Sequence, residues 1–285
     1  MEIKTLEGIS TKEIVTVFND SFADYFIPFK LTAAQLASKI LADKTDLSLS
    51  VGVFDEGKLI AFILHGFDTI NDQNVLYNGG TGVIPTKRGF GLTKQMYRFI
   101  VPILKEKGIH RLILEVITQN IQAITSYEKS GFKTKRKLVC YKGDIEITNT
   151  KTDLEIKELQ HYNWELMESF WDIQPTWQNS KNVVNELKDT TISLGAYIEE
   201  QLVAYVIYNP SNQRIQQIVV SKDFRRQQIA STLFAVLMSR FGHTFSIINV
   251  DKNAESIHAF LVHLGFKFTL EQLEMEFQLN TNDNL

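Results

Sequence analysis

One turn of the chain combines a positive charge with two glycines in a way that suits an anion. The turn Arg88–Gly91 (RGFG) follows a strand-like segment that Pro85 ends, and an amphipathic helical pattern begins at about Leu92. The free N–H groups and the dipole of a helix N-terminus favour a phosphate, and glycine lets a ligand approach the backbone closely. The turn therefore predicts a pyrophosphate cradle, although ordinary strand–turn–helix connections have a similar composition.

Three more glycines interrupt the strand just before this turn. Gly79, Gly80 and Gly82 lie within four positions, and Val83 resumes the strand. Glycine inside a strand is typical of a bulge or of a close backbone approach by a ligand. A bulge makes a strand diverge from its neighbour and leaves main-chain groups unpaired. We expect a splayed strand with main-chain groups near Gly82 and Val83 available to a ligand.

A carboxylate in an apolar strand is the third candidate for chemistry. Glu115 lies between Leu114 and Val116 in the segment 111–117. A buried carboxylate in such a place can act as a general base through a water molecule. The alternative is an outward-facing strand residue, and strand alternation alone does not choose between the two faces.

The elements that position these residues follow from hydrophobic periodicity and from turn residues. Strand-like and helical patterns alternate over residues 1–142 in the order β-α-α-β-β-β-α-β-α-β. Ser10 and Thr32 are predicted helix N-caps. Pro102 is predicted to kink or end the helix that follows the cradle, and Gly131 is predicted to end the next one.

Two motifs in this order resemble those of the GNAT N-acetyltransferase superfamily. Residues 83–93 (VIPTKRGFGLT) are similar to its acetyl-CoA motif, Arg/Gln-x-x-Gly-x-Gly/Ala, with a departure at Thr93, where a small residue is usual. Residues 120–132 (NIQAITSYEKSGF) resemble its second motif. The resemblance implies that acetyl-CoA, as co-substrate, is bound by Gly82, Val83, Arg88, Gly89, Phe90, Gly91, Leu92, Thr93 and Asn120.

The resemblance also implies acetyl transfer to an amine, with N–H groups of the bulge stabilising charge on the thioester oxygen. Tyr127 would be the general acid that protonates the leaving thiolate; the alternative is a core aromatic residue. Glu115 would be the base. Asn120 would contact the pantetheine arm, cap its helix, or both. The acceptor pocket would be shaped by residues of the loop after the first helix, for which a solvated loop is the alternative: Asp20, Asp24, Tyr25 and Phe29.

The element pattern repeats after residue 145. We therefore predict two domains, 1–145 and 146–285, each a GNAT-like α+β domain with a mixed, mostly antiparallel sheet flanked by helices. The second copy is degenerate: Arg225 aligns with Arg88, but Gln228 replaces Gly91, and Phe260 is expected where Tyr127 would be. We predict that it binds acetyl-CoA weakly or not at all and that it packs on the first copy as a pseudo-dimer partner.

Composition narrows the functional classes further. The 285 residues are 44% hydrophobic with a net charge of −3, and residues 1–142 hold 19 Lys and Arg against 14 Asp and Glu. This excess is too small and scattered to predict nucleic-acid binding. The single Cys140, the absence of a signal-peptide core and the absence of a long apolar run indicate a cytoplasmic protein without a membrane partner. The histidine spacing predicts no metal site.

The sequence therefore predicts an acetyl-CoA-dependent N-acetyltransferase whose first domain is catalytic. The acceptor would be the amine of a small molecule or a peptide. The alternative is a non-catalytic acyl-CoA-sensing or partner-binding protein with the same fold. Either a monomer with pseudo-dimeric domains or a homodimer is compatible with the sequence.

Overall fold

The computed structural model describes residues 1–25, 30–147 and 149–279. The chain divides into two compact units, one formed by residues 1–136 together with those from 273 onward, and the other by residues 137–272. These units are not consecutive along the chain, because the last strand returns its second half to the first unit. The domain bounds 1–145 and 146–285, which describe the two sequence copies, remain a prediction from the sequence.

The first unit has the predicted order of elements. These are β1 Glu2–Thr5, α1 Thr11–Ser21, α2 Ala33–Ala42, β2 Val51–Asp55, β3 Lys58–Ile70, β4 Gln73–Val83, a 3₁₀ turn Pro85–Lys87, α3 Leu92–Glu106, β5 Arg111–Ile117, α4 Ile121–Glu128 and the start of β6 Lys133–Asp144. Strands β1 to β4 pair antiparallel, and β4 pairs parallel with β5. The second half of β12 (Lys267–Gln278) lies beside β5.

Alternation along β3 places helices on both faces of this sheet. Phe62 and Leu64 pack in one core cluster with residues of α1 and α2, whereas Ala61 and Ile63 pack in another with residues of α3. Successive strand side chains point to opposite faces, so one strand supports both layers. Ser10 and Thr32 cap α1 and α2 as predicted. Pro102 was predicted to kink or end α3. It does not end the helix, which continues to Glu106.

The second unit repeats this arrangement. Its further elements are β7 Glu155–Glu158, α5 Trp164–Ser169, a 3₁₀ turn Trp177–Asn179, α6 Lys181–Glu186, a 3₁₀ turn Lys188–Thr190, β8 Ile192–Ile198, β9 Gln201–Asn209, β10 Arg214–Val220, a 3₁₀ turn Lys222–Phe224, α7 Ile229–Phe241, β11 Thr244–Asp251 and α8 Glu255–His263. The strand order is β6-β11-β10-β9-β8-β7, with β10 and β11 parallel.

Two further features concern the described ranges only. No helix within them combines the length and the apolar character needed to cross a membrane. No three or more His, Cys, Asp or Glu side chains of these residues form a group that could hold a metal ion.

A fully buried histidine makes the first unit sensitive to acid. His65 has no exposed surface, and its Nδ1 lies 2.8 Å from the Leu49 carbonyl oxygen. Burial lowers the pKa of His65 from 6.5 to about 4. The unfolded chain therefore binds a proton more readily, so this contribution to stability is complete above pH 6.5 and is lost as the pH falls towards 4.

We expect about 2 kcal/mol of unfolding free energy to be lost through His65 between pH 7.5 and pH 5. Denaturant unfolding at both pH values measures the loss. His65→Gln has no titrating ring, so its stability should fall less over the same interval. An equal fall in the variant and the parent chain would contradict the assignment to His65.

Candidate active site

The first unit contains a V-shaped opening between its two parallel strands. Pairing between β4 and β5 joins Val75 with Arg111, Leu76 with Leu112, and Tyr77 with Ile113. Beyond these pairs the described residues of β4 and β5 form no ladder, which confirms the predicted splay. Main-chain groups of β4 after Tyr77 therefore line the opening.

The glycines of β4 are required by different features of the structure. The register places Gly80 opposite Leu64 and Asn78 opposite His65, so the bulge falls at Gly79. A Cβ at Gly79 would lie 2.7 Å from Asp43 Oδ2, and a Cβ at Gly82 would lie 2.4 Å from the Phe62 ring. Gly82 is thus required by packing against Phe62, whereas the bulge falls at Gly79.

The predicted cradle has a conformation that favours glycine. Gly89 and Gly91 have φ values of 83° and 67°, and Gly91 is the N-cap of α3. A Cβ at either position would meet no atom of the described residues within 4 Å, so the space in front of the turn is open. The first helical hydrogen bond runs from the Gln95 N–H to the Gly91 carbonyl.

The N–H groups of the first turn of α3 are therefore available to an acceptor outside the helix. These belong to Leu92, Thr93 and Lys94. Leu92 buries its side chain beneath the turn, Thr93 is half-buried, and Phe90 is 65% exposed. The arrangement can hold a phosphate by main-chain donors and by the helix dipole.

The side chain of Arg88 is engaged within the chain. Its Nε donates to the Val83 carbonyl at 3.2 Å, and its terminal nitrogens donate to both Asp24 carboxylate oxygens at 2.6 and 2.7 Å and to the Ser21 carbonyl at 2.9 Å. The hydrogen bond from Arg88 is the main cause of the lowered pKa of Asp24. Arg88 thus ties the turn of the predicted cradle to the end of α1.

Tyr127 lies on α4 beside the splayed part of β4. It is 9% exposed, and the side chains of Thr81 and Asn78 lie close enough to offset part of the rise in its pKa. Burial is the main cause of its raised pKa, so the phenol keeps its proton at neutral pH. A protonated phenol at the edge of the opening can act as a general acid.

Asn120 has one of its two predicted roles in the structure. Its Oδ1 accepts the Ala123 N–H at 3.1 Å and caps α4, while its Nδ2 lies 3.5 Å from the Tyr25 hydroxyl. Tyr25 therefore joins the site, whereas Asp24 pairs with Arg88 and Asp20 is exposed. Phe29 lies outside the described residues.

Glu115 faces the α1 and α2 side of the opening. Its neighbours Leu114 and Val116 belong to the opposite core, and the nearby Tyr77 side chain offsets part of the rise in its pKa. Oε1 is buried and has no hydrogen-bond partner among the described residues. Burial, and secondarily the charges of Glu274 and Asp43, raise the pKa of Glu115 from 4.5 to about 8.

Sequence reasoning missed the residues that surround Glu115. Asp43 ends α2 and pairs with Lys39, and Glu274 on β12 accepts two hydrogen bonds from Arg136, at 2.6 and 3.1 Å. Both carboxylates are buried. The signal that could have indicated them is a charged residue within an apolar segment, as at Glu115. The three carboxylates are far apart in sequence, so the sequence does not show that their segments are in contact.

The second unit has the same opening with different side chains. Strands β10 and β11 pair at Arg214–Ser246 and Ile215–Ile247 and then diverge. Arg225 repeats the contacts of Arg88, with Val220 as carbonyl acceptor and Asp172 as ion-pair partner. Gln228 lies at the position equivalent to Gly91, in agreement with the predicted alignment, and its φ is 62°.

Side chains bridge the two diverging strands of this second opening. Gln217, which follows the β10 bulge at Gln216, donates to the Asn179 carbonyl at 2.7 Å, and Asn179 Nδ2 donates to the Ile248 carbonyl of β11 at 3.1 Å. The Lys151 N–H donates to Thr232 Oγ1 on the first turn of α7. Gln217 and Asn179 thus connect β10 with β11 where the two strands diverge.

One aligned residue of the second copy needs correction. The Phe132 N–H donates to the Tyr127 carbonyl, and the Phe266 N–H makes the same bond with Leu261. Leu261, and not Phe260, is therefore equivalent to Tyr127. The offset arises in β11, where the register shifts between Ile247 and Val250 and adds one residue before α8.

Comparison with known proteins identifies the family. The model of the acetyltransferase (GNAT) family matches residues 14–132 and again residues 156–266. These two segments cover more than half of the chain, which therefore belongs to the GNAT family and carries two tandem GNAT domains. This confirms the fold and the family that the two motifs predicted.

Solved structures share this fold at low sequence identity. A tandem GNAT protein from the clavulanic acid biosynthesis pathway is 10% identical, with a TM-score of 0.74 and 99% of both chains covered. A GCN5-related N-acetyltransferase from Sphaerobacter thermophilus is 13% identical, with a TM-score of 0.73 and coverage of 100% of this chain and 97% of that one. A putative acetyltransferase from Pyrococcus horikoshii has a TM-score of 0.69, 12% identity and coverage of 99% and 91%. Comparison with curated protein sequences gives no match.

The difference between Gly91 and Gln228 provides a test of the cradle. Gly91→Gln places in the first unit the residue that the second unit accommodates at the same φ, so the fold should persist. The side chain would fill the open space before α3, and we expect at least a tenfold loss of acetyl-CoA affinity, about 1.4 kcal/mol. Calorimetry measures it, with one site per parent chain.

Gln228→Gly is the matched control. It restores one glycine of the second cradle but leaves the opening bridged by Gln217 and Asn179, so the number of binding sites should stay at one. Two equal sites in the parent chain, or unchanged affinity in Gly91→Gln, would contradict the cradle assignment.

Proposed function

We propose that this protein is an acetyl-CoA-dependent N-acetyltransferase and that the first unit is its catalytic unit. The observation that carries the proposal is a proton donor and a proton acceptor at one strand opening. Tyr127 lies on the α3 and α4 side, and Glu115 faces the other side. An acyl transfer to an amine needs both, because the amine must lose a proton and the leaving thiolate must gain one.

The open cradle and the splay support acetyl-CoA as the donor. Gly89, Gly91 and the first turn of α3 offer main-chain N–H groups for a pyrophosphate, and the divergence of β4 from β5 leaves a slot for the pantetheine arm. Bound acetyl-CoA would supply the acetyl thioester. Gly82, Val83 and Asn120 line or border that slot and are the proposed contacts of the arm.

The acceptor is proposed to be a cationic amine. Three acidic side chains, Asp43, Glu115 and Glu274, lie on the α1 and α2 side of the opening, and two of them carry a basic partner, Lys39 or Arg136. Oε1 of Glu115 has no hydrogen-bond partner among the described residues and can accept a hydrogen bond from an ammonium group. A carboxyl with a pKa of about 8 can accept that proton from an ammonium group whose own pKa is lowered in the site.

The test is an acceptor screen that follows CoA release from acetyl-CoA. Diamines, aminosugars, amino acids and peptide N-termini cover the amine classes, and matched alcohols serve as controls. Turnover with amines alone would support the proposal. Tight binding of acetyl-CoA without turnover on any amine would favour the acyl-CoA-sensing alternative instead.

A further inference from the structure

A group of buried polar atoms in the second unit makes no hydrogen bond within the described residues. They are both polar side-chain atoms of Gln216, Oδ1 of Asn179 and Oγ1 of Thr176. The three residues are 4%, 6% and 2% exposed. A polar group that loses water and gains no partner destabilises the folded state, so buried polar groups normally have one. These atoms therefore indicate a site whose partner comes from outside the chain.

The internal repeat shows to which side of the sheet Gln216 points. The pairing of β10 with β9 shifts at Gln216, as the pairing of β4 with β3 shifts at Gly79. The two bulges share the sequence offset that relates the two cradle turns. A Cβ at Gly79 would lie 2.7 Å from Asp43 Oδ2, at the end of α2. The Cβ of Gln216 therefore points to the equivalent side of the second unit, where the turn Trp177–Asn179 contacts β10.

Hydrogen bonds hold this turn against the bulge. Gln217 Nε2 donates to the Asn179 carbonyl at 2.7 Å, and Gln217 Oε1 accepts from the Tyr205 hydroxyl at 2.8 Å. Asn179 Nδ2 donates to the Ile248 carbonyl at 3.1 Å, and the Asn179 N–H donates to the Thr176 carbonyl at 3.0 Å. These bonds fix Thr176 and Asn179 beside the bulge, at the point where β10 and β11 diverge.

The hydrogen-bonding capacity of this group matches a carboxamide. The Gln216 side chain offers two N–H donors and a carbonyl acceptor, so a ligand amide can form two hydrogen bonds with it, one in each direction. Asn179 Oδ1 accepts a further N–H, and the Thr176 hydroxyl donates or accepts. All three side chains are uncharged. A charged ligand group would lose its hydration here without gaining a counter-charge.

The first unit has different chemistry at the equivalent place. Gly79 has no side chain there, and the nearest group to its Cβ position is the carboxylate of Asp43. We propose that the second unit binds a small neutral carboxamide at the β10 bulge, held by Gln216, Asn179 and Thr176. This site is additional to the proposed acetyl transfer and does not depend on it.

Titration of the full chain with N-acetylglycinamide, followed by ligand-observed NMR, tests the proposal. We expect saturable binding, and at least about tenfold weaker binding of the charged analogues N-acetylglycine and glycinamide. Gln216→Met keeps the length of the side chain but removes both polar atoms, so it should weaken binding by about tenfold or more. Gln227→Met changes an exposed glutamine of the same unit and should leave the affinity unchanged.

Thermal unfolding separates ligand binding from a structural role. Without ligand, Gln216→Met should be no less stable than the parent chain, because it removes an unpaired buried amide. N-acetylglycinamide should raise the unfolding temperature of the parent chain and not that of the variant. Gln216→Gly, which introduces the residue of the first unit, should show the same loss of binding and serves if the methionine variant does not fold.

Saturating acetyl-CoA should leave the affinity for N-acetylglycinamide unchanged. Displacement of this probe by acetyl-CoA would assign it to the first unit and overturn the inference. Equal affinity for the neutral and charged probes, or unchanged affinity in the Gln216 variants, would also overturn it. So would a lack of binding up to the solubility limit of the probe, because solvent alone would then satisfy these polar atoms.

Discussion

Replacing Glu115 by glutamine should remove most of the turnover and at the same time stabilise the first unit at alkaline pH. The loss of a general base typically costs about 10²–10⁴-fold in rate. The carboxamide keeps the size and the polarity of the side chain, so acetyl-CoA affinity should change little. Initial rates of CoA release and calorimetry measure the two quantities.

The stability gain follows from the sign of the pKa shift. Folding raises the pKa of Glu115 from 4.5 to about 8, so the folded state favours the protonated form. Its stabilising contribution is complete below pH 4.5 and is lost as the pH rises through 8. Because Glu115 is half-buried, we expect the glutamine variant to gain about 3 kcal/mol at pH 8 and much less at pH 5.

Glu165→Gln, on α5 of the second unit, is the matched control, because that carboxylate is exposed. It should alter neither the rate nor the pH dependence of unfolding. The parent rate should rise with pH to a plateau above about 8, as Glu115 ionises. A Glu115→Gln chain that turns over normally, or that is destabilised equally at pH 5 and pH 8, would contradict the base assignment.

Replacing Tyr127 by phenylalanine should lower kcat by about 10²–10⁴-fold and leave acetyl-CoA affinity nearly unchanged. The phenol proton matters when the thiolate forms, so its loss is an effect on the transition state. The ring remains packed against Phe132, whose centroid is 5.7 Å away. Single-turnover rates and calorimetric affinities separate chemistry from binding.

Tyr141→Phe removes a comparable phenol from the second unit, where Tyr141 bonds with His258 at 2.7 Å, and should leave kcat intact. If Tyr127→Phe turns over at the parent rate, Tyr127 is a core aromatic residue only. If acetyl-CoA affinity falls in parallel with kcat, the phenol contributes to binding instead of proton transfer.

Local signals in the sequence were sufficient for the fold and for the outline of the site. Glycines at 89 and 91 with positive φ, and the cap at Asn120, follow from short-range chemistry that a single segment contains. The splay at β4 was predicted for the same reason. The conformation of residues of this kind is determined by a few neighbours in sequence.

Features that depend on contacts between distant segments were not accessible in this way. Gly82 is glycine because of Phe62, and Arg88 is held by Asp24, which no spacing reveals. The environment of Glu115 includes Glu274, more than 150 residues away in sequence. One extra residue in β11 was enough to shift the alignment from Leu261 to Phe260.

The return of β12 to the first unit has a consequence for the order of folding. Arg136 and Arg111 pair with Glu274 and Glu276 of that strand, and the ring of Phe277 packs about 3 Å from where a Cβ on Gly131 would be. During synthesis, the first unit emerges from the ribosome long before β12 and stays incomplete. Its closure must therefore wait until the second copy has been translated, so the first unit is the last to be completed.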